Sequence, residues 1–195
     1  MSLRRRRWAE SMEAMAHLTA QQFEQRQAEV LHSPADDGTL EMLVARPDVG
    51  EREVLEHGEL IVGEGLAGDN YIARGNAKTD DGKAHPEAQL NIMNSRSVDL
   101  CADGDRSLWP LAGDQMFVDF DLSVANIPTG TRLAIGTAVI EVAAKPHTGC
   151  AKFSERFGID AARWVNSDKE RRYRGINAMV VQAGVVKPGD KITKL

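Results

Sequence analysis

The sequence predicts a mainly β protein, a barrel or a sandwich, with a few peripheral helices including one near the N-terminus. Two observations carry this. From Asp36 onward, short apolar segments alternate with clusters of glycine, proline and aspartate, the pattern of many short strands joined by tight turns. One local pattern also occurs twice. Pro128-Thr129-Gly130-Thr131-Arg132-Leu133 and Pro188-Gly189-Asp190-Lys191-Ile192 each bend the chain at a proline and a glycine and then enter a strand. Closing such strands into a ring removes exposed sheet edges. At 195 residues, 42% of them hydrophobic and 27% charged, the chain has material for a substantial core.

The elements follow in order. Residues 1–35 read as an N-terminal helical extension and residues 36–195 as the barrel domain. Thr19 begins a helix, with Gln22 completing a capping box and Leu18 and Phe23 placed to staple it. It runs through Leu31 and stops before Ser33-Pro34, because a residue before proline avoids the helical region. A preceding turn or two spans Trp8 to His17. After the Asp37-Gly38 turn, Leu40, Met42 and Val44 share one face of a strand. Pro47–Gly50 turns the chain into a second strand at Glu53–Leu55. A glycine-rich loop, Gly63–Asn76, and a polar segment, Asn76–Pro86, come next. Leu90–Met93 is a strand, and Ser95 caps a helix that turns Val98, Leu100 and Cys101 inward. Met116, Val118 and Phe120 alternate again, and Leu133–Val142 is a long apolar run. Beyond Cys150, Phe153 and Phe157 share a helical face and Gly158 ends that helix. Asp160 caps a second helix, Ala161–Val165, stapled by Ile159 and Trp164. Ala178–Gln182 is a strand, and a turn after Val185-Val186 leads to the last one.

Bulk properties exclude several classes. No apolar run reaches the roughly 18 residues that a spanning helix needs. Met1–Trp8 carries Arg4–Arg7, but no apolar stretch follows and Glu10 and Glu13 come at once, unlike a secretory or mitochondrial leader. Cys101 and Cys150, the only two cysteines, make neither a disulfide framework nor a metal cage, and a cytoplasmic location is expected. A net charge of −5 argues against general nucleic-acid binding, and the arginine run reads as a solvated end. The phosphate-loop, dinucleotide and His-Glu-x-x-His patterns are absent, as is a serine nucleophile elbow.

The richest stretch is Pro146-His-Thr-Gly-Cys-Ala-Lys-Phe-Ser-Glu-Arg-Phe-Gly158. It sets Cys150 after a glycine at the start of a helix, where unpaired N–H groups and the helix dipole favour a thiolate. The alternative is a buried, inert cysteine behaving as a small hydrophobe. His147 either pairs with the thiolate and moves a proton or shapes the turn, and the spacing does not decide. Thr148 and Gly149 offer backbone N–H groups for an anion. Lys152 is a surface residue or an attractor of phosphate. Arg174, beside Gly175, is the best candidate for an anionic cofactor, since guanidinium meets phosphate at two points. Asp69 and Asp114, each after a glycine, are expected to bond their own turns. His85 is placed near the pocket mouth, His32 and His57 on the surface, and Cys101 in the core.

The cysteine motif, with Gly65-Leu-Ala-Gly-Asp69, Ala88-Gln-Leu-Asn-Ile92, Leu111-Ala-Gly-Asp114, Arg174-Gly-Ile-Asn-Ala178 and Gly189-Asp-Lys-Ile192, resembles the MOSC domain, the C-terminal domain of molybdenum cofactor sulfurases and its stand-alone relatives. The resemblance covers roughly Leu40–Leu195 and implies a MOSC-type β-barrel. It implies that Cys150 ligates molybdenum or carries sulfur as a persulfide, with His147 assisting and Arg174, Lys152, Thr148 and Gly149 facing the molybdopterin. A reductase of N-hydroxylated compounds, served by a separate electron-donor protein, or a sulfur carrier with a donor or acceptor protein partner, follows from it. There is no pyridoxal-phosphate domain to mobilise sulfur. The chain departs from the family at Ala88-Gln89, where many members have Arg-Gln, and in the insert Ala73–Pro86. The rival expectation is a noncatalytic binding module that uses the β scaffold as a partner surface.

Overall fold

The computed structural model describes residues 17–75 and 79–195. The arginine run and most of the expected turn before Thr19 lie outside them, as do Asn76–Lys78 of the polar segment.

Helix α1 (Ala20–Arg26) starts as the capping box requires. The Thr19 hydroxyl accepts from the Gln22 N–H, and the Gln22 side chain accepts from the Thr19 N–H. After Gln27 the short α2 (Ala28–Leu31) ends the helical segment. Phe23 is buried and stacks on Trp164 with ring centroids 5.0 Å apart, which ties the N-terminal helix to a distant part of the chain.

The strands are β1 (Gly38–Ala45), β2 (Glu53–Leu55), β3 (Gly58–Ile61), β4 (Gly65–Leu66), β5 (Leu90–Asn94), β6 (Met116–Asp119), β7 (Arg132–Ile135), β8 (Ala138–Pro146), β9 (Ile176–Gln182), β10 (Gly184–Val186) and β11 (Lys191–Lys194). Seven close a barrel in the order β1-β11-β7-β8-β9-β5-β6 and back to β1, with β2 added outside on β1. Strands β10, β3 and β4 form a small second sheet. Within the barrel only β5 and β6 run parallel. The two repeated Pro-Gly turns feed β7 and β11, which pair with Ile135 opposite Ile192. The long apolar run is therefore a hairpin, broken at Gly136, where φ is +56° and a Cβ would come within 2.4 Å of the Val185 carbonyl.

Two cores result. One fills the barrel with Leu40, Leu43, Ile92, Met116, Val118 and Phe120 among others. The other lies between the outer wall and the helices and holds Met42, Val44, Met93 and Phe117 with Phe23, Phe153 and Trp164. The expected single face of Leu40, Met42 and Val44 is thereby corrected. A bulge between Leu40 and Met42 shifts the register by one, so Leu40 points into the barrel and the other two point out.

Helices α3 (Tyr71–Arg74), α4 (Ser95–Cys101), α5 (Ala151–Phe157) and α6 (Ile159–Val165) pack on the outside. Two caps differ from expectation. Asn94, not Ser95, caps α4, because its amide oxygen accepts from both Arg96 N and Ser97 N. Gly158, with φ +89°, joins α5 directly to α6 and leaves Asp160 inside the first turn. Asp160 instead accepts from the Ala20 N–H at 3.2 Å, and Ile159 is too exposed to staple the helix. Among the described residues, no helix is long and apolar enough to cross a membrane.

Candidate functional site

Strand β8 ends at Pro146, and the His147–Gly149 loop delivers Cys150 to the N-cap of α5. The thiol makes no capping bond, forms no disulfide and is exposed. Buried Phe153 and Phe157, with ring centroids 4.9 Å apart, anchor the helix below it. The loop is clamped by Asn166. Its Oδ1 accepts from the Gly149 N–H at 2.9 Å, while its Nδ2 donates to the Gly149 and Ala162 carbonyls. The Gly149 N–H, expected to serve an anion, is thus already engaged.

Cys150, Lys152, His147 and Thr148 border a cavity of about 260 Å³ into which five arginines converge. Two of these are matched by buried carboxylates. Arg46 meets Asp69 through Nε and Nη2 at 2.8 and 2.9 Å, and its Nη1 reaches Asn91 and the Gly113 carbonyl. Arg174 meets Asp114 at 2.8 Å, donates to the Ala112 carbonyl and lies 4.9 Å over the Phe153 ring. Asp69 bonds its own turn as expected, accepting from the Tyr71 N–H, and in addition neutralises the distant Arg46, whereas Asp114 neutralises the distant Arg174.

Arg52, Arg74, Arg156 and Lys152 form no ion pair among the described residues. Burial pushes the Arg52 guanidinium down to about 10, and the adjacent Arg156 and Arg46 push the same way. Burial also lowers Arg74, again with Arg46 adding to it. Burial lowers Arg156 too, with Cys150 opposing. Like charges crowded at one cavity repel each other and favour an anionic guest. Arg174 therefore borders the cavity as expected but with its charge already matched. Lys152 and Arg156 lie on α5 within the cysteine motif, whereas Arg52 and Arg74 come from a loop and from α3, distant in sequence, and no local motif marks them.

His147 Nε2 lies 2.7 Å from Asp114 Oδ1. Burial raises the Asp114 carboxyl, but Arg174 and His147 outweigh it and hold it below the usual carboxylate range. Burial lowers the imidazole, and Arg174 lowers it further against the pull of Asp114. A neutral imidazole donating Nε2–H to an ionised carboxylate leaves Nδ1 as an acceptor. His147 and Thr148 also border a second cavity of about 550 Å³, together with Arg174.

His85 caps a short 3-10 turn, Pro86–Ala88, with its Nδ1 accepting from the Glu87 N–H. His32 and His57 are exposed and Cys101 is buried, as expected. Among the described residues, no three His, Cys, Asp or Glu side chains cluster to hold a metal ion.

The fold is shared with solved structures. The YuaD protein of Bacillus subtilis superposes with a TM-score of 0.59 at 16% identity, over 80% of this chain and 93% of that one. YiiM of Geobacillus stearothermophilus gives 0.53 at 11% identity over 81% and 75%, and YiiM of Escherichia coli gives 0.51 at 19% over 80% and 69%. No curated protein matches the sequence. The MOSC domain model matches residues 79–193, which contain the cysteine loop, every barrel strand except β1 (β11 short of Lys194 alone) and both partners of the His147–Asp114 contact, so the chain belongs to the MOSC family.

Proposed function

We propose that the chain binds a molybdenum cofactor, with Cys150 as a thiolate ligand to the metal, and acts as a reductase of N-hydroxylated compounds. The observation that supports this most is the exposed thiol beside a cavity bordered by Arg52, Arg74, Arg156 and Lys152, cations without carboxylate partners among the described residues. A single sulfur with no neighbouring ligand cluster among the described residues suits a metal that arrives in its own chelate, not a bare ion. An anionic tail on that chelate suits the guanidinium groups, which meet phosphate in a two-point fork. Membership of the MOSC family, associated with this cofactor, points the same way.

In this reading the four unmatched cations hold the phosphate. Arg46 and Arg174, fixed by Asp69 and Asp114, keep the wall rigid and contribute little net charge. His147, neutral and bordering the same cavity as Cys150, accepts or returns a proton there. The bound cofactor supplies the redox chemistry. Electrons come from a separate donor protein, since two cysteines cannot hold an iron–sulfur cluster. A reducing cytoplasm keeps the thiol available.

The exposure of Cys150 also suits a second reading, a sulfur carrier. An acceptor thiolate attacks the outer sulfur of a Cys150 persulfide, the S–S bond breaks, and the Cys150 thiolate leaves. One experiment separates the readings. The protein is purified from cells that make the cofactor, and molybdenum, pterin and persulfide are measured beside Cys150→Ser. Near-stoichiometric molybdenum and pterin, lost in the variant, support the first reading. Persulfide on Cys150 without molybdenum supports the second. The absence of all three defeats both and leaves a binding module.

A further inference from the structure

The second cavity, at about 550 Å³ the larger of the two, plays no part in the proposed cofactor role. The His147–Thr148 turn and Arg174 border both cavities, so they form a shared partition, but Cys150 borders only the smaller one. The volume falls in the range of pre-formed small-molecule sites, roughly 300–1,000 Å³. Its wall has two chemical parts. Val124, Ala143, Val165 and Ile176 supply an apolar surface. Lys145, Lys169 and Arg172 supply positive charge, and none of them forms an ion pair among the described residues.

The one acid on the wall, Asp168, offsets only part of this charge. Asp168 spends Oδ1 on the N–H groups of Glu170 and Arg171, within its own turn. Asp114 is committed to Arg174 and His147. Arg172 is held in place by donating Nη1 to the Ile127 carbonyl at 2.8 Å, on a backbone with φ +52°. Burial lowers its pKa, with the Glu170 carboxylate opposing in part. Asn177 stiffens the floor by donating to the Lys145 and Pro146 carbonyls.

We propose that this cavity is a binding site for a small organic anion with an apolar body, such as an aryl or alkyl sulfonate, carboxylate or phosphate ester. The apolar wall takes the body, and Lys145, Lys169 and Arg172 take the anionic end. The site does not depend on the cofactor reading.

The probe is 8-anilinonaphthalene-1-sulfonate, compared with uncharged N-phenyl-1-naphthylamine, which has the same ring system. Fluorescence and calorimetry are expected to give one saturable site that prefers the sulfonate. Lys145→Gln combined with Lys169→Gln, both at solvent-accessible positions, is expected to weaken the sulfonate about tenfold and to leave the neutral probe within about twofold. Ala144→Trp, at an exposed position on the cavity wall, is expected to block both probes while the circular dichroism spectrum stays unchanged. The proposal is overturned if no saturable binding appears below about 1 mM. It is equally overturned if the neutral probe binds as tightly, or if neither the lysine pair nor Ala144→Trp alters binding. Should Ala144→Trp unfold, the lysine pair and the comparison of probes decide alone.

Discussion

The side-chain amide of Asn166 grips the peptide of Gly149 on both sides, accepting its N–H and donating to its carbonyl, from seventeen residues further along the chain. Asn166 sits at the end of α6, so the position of the Cys150 loop depends on a helix that contributes nothing else to the smaller cavity. Asn166→Ala is expected to cost about 1–2 kcal/mol in urea unfolding. It is also expected to lower molybdenum content without removing the thiol. Asn166→Asp, which keeps the acceptor for Gly149 N, is expected to recover part of that loss. Unchanged metal content in Asn166→Ala defeats the positioning role.

The two thiols differ in access. Cys150 is exposed, whereas Cys101 is buried and burial pushes its pKa far above the usual thiol range. Iodoacetamide is expected to modify one thiol per native chain, two after denaturation, and none in native Cys150→Ser. Peptide mass mapping checks the assignment.

The arginines around the smaller cavity divide by consequence. Arg46→Gln strands the buried Asp69 carboxylate and is expected to destabilise the protein by about 3–5 kcal/mol. Arg52→Gln relieves crowding with Arg156 and Arg46, and is expected to leave the denaturation midpoint unchanged or raise it. Combined with Arg156→Gln it is expected to abolish retention of the pterin. Equal destabilisation by Arg46→Gln and Arg52→Gln contradicts this division.

Because folding depresses the His147 pKa below its ordinary value near 6.5, the native state favours the neutral ring. The unfolded chain takes up the proton first as pH falls. The contribution of His147 to stability is therefore complete above 6.5 and is lost between there and the lower native value. Urea midpoints between pH 7.5 and 5 are expected to fall more steeply for the natural protein than for His147→Gln. Parallel curves rule this out.

Gly175 has φ +102°, and a Cβ there would lie 1.9 Å from the Ile92 carbonyl oxygen. Gly175→Ala is expected to cost at least about 3 kcal/mol or to prevent folding. Gly189, at φ +94° but with open space around it, is the control, and its alanine variant is expected to cost only about 1 kcal/mol. Thermal melts distinguish the two.

What was readable from sequence follows the range of the forces involved. The Thr19–Gln22 capping box, the Phe153–Phe157 face and the paired Pro-Gly turns are local, and the structure has all three. The cysteine loop was visible because its motif is contiguous. The β1 bulge was not, because nothing at Glu41 distinguishes an extra residue from a regular pleat. The matching of Arg46 to Asp69 and of Arg174 to Asp114 was equally hidden, since each joins residues brought together only by barrel closure. Lacking those pairings, sequence reasoning singled out Arg174 as the candidate for an anion and did not single out Arg52, Arg74 and Arg156, which border the same cavity.

The seam between β1 and β11 has a kinetic consequence. Gly38 faces Ile192 across it, about 150 residues apart in sequence, so this pairing cannot start from a local hairpin and waits on the strands between to pair and bring the two edges together. Refolding from urea is therefore expected to be slow for a chain of this size, with the seam zipping last and the open ring presenting unpaired strand edges until it does.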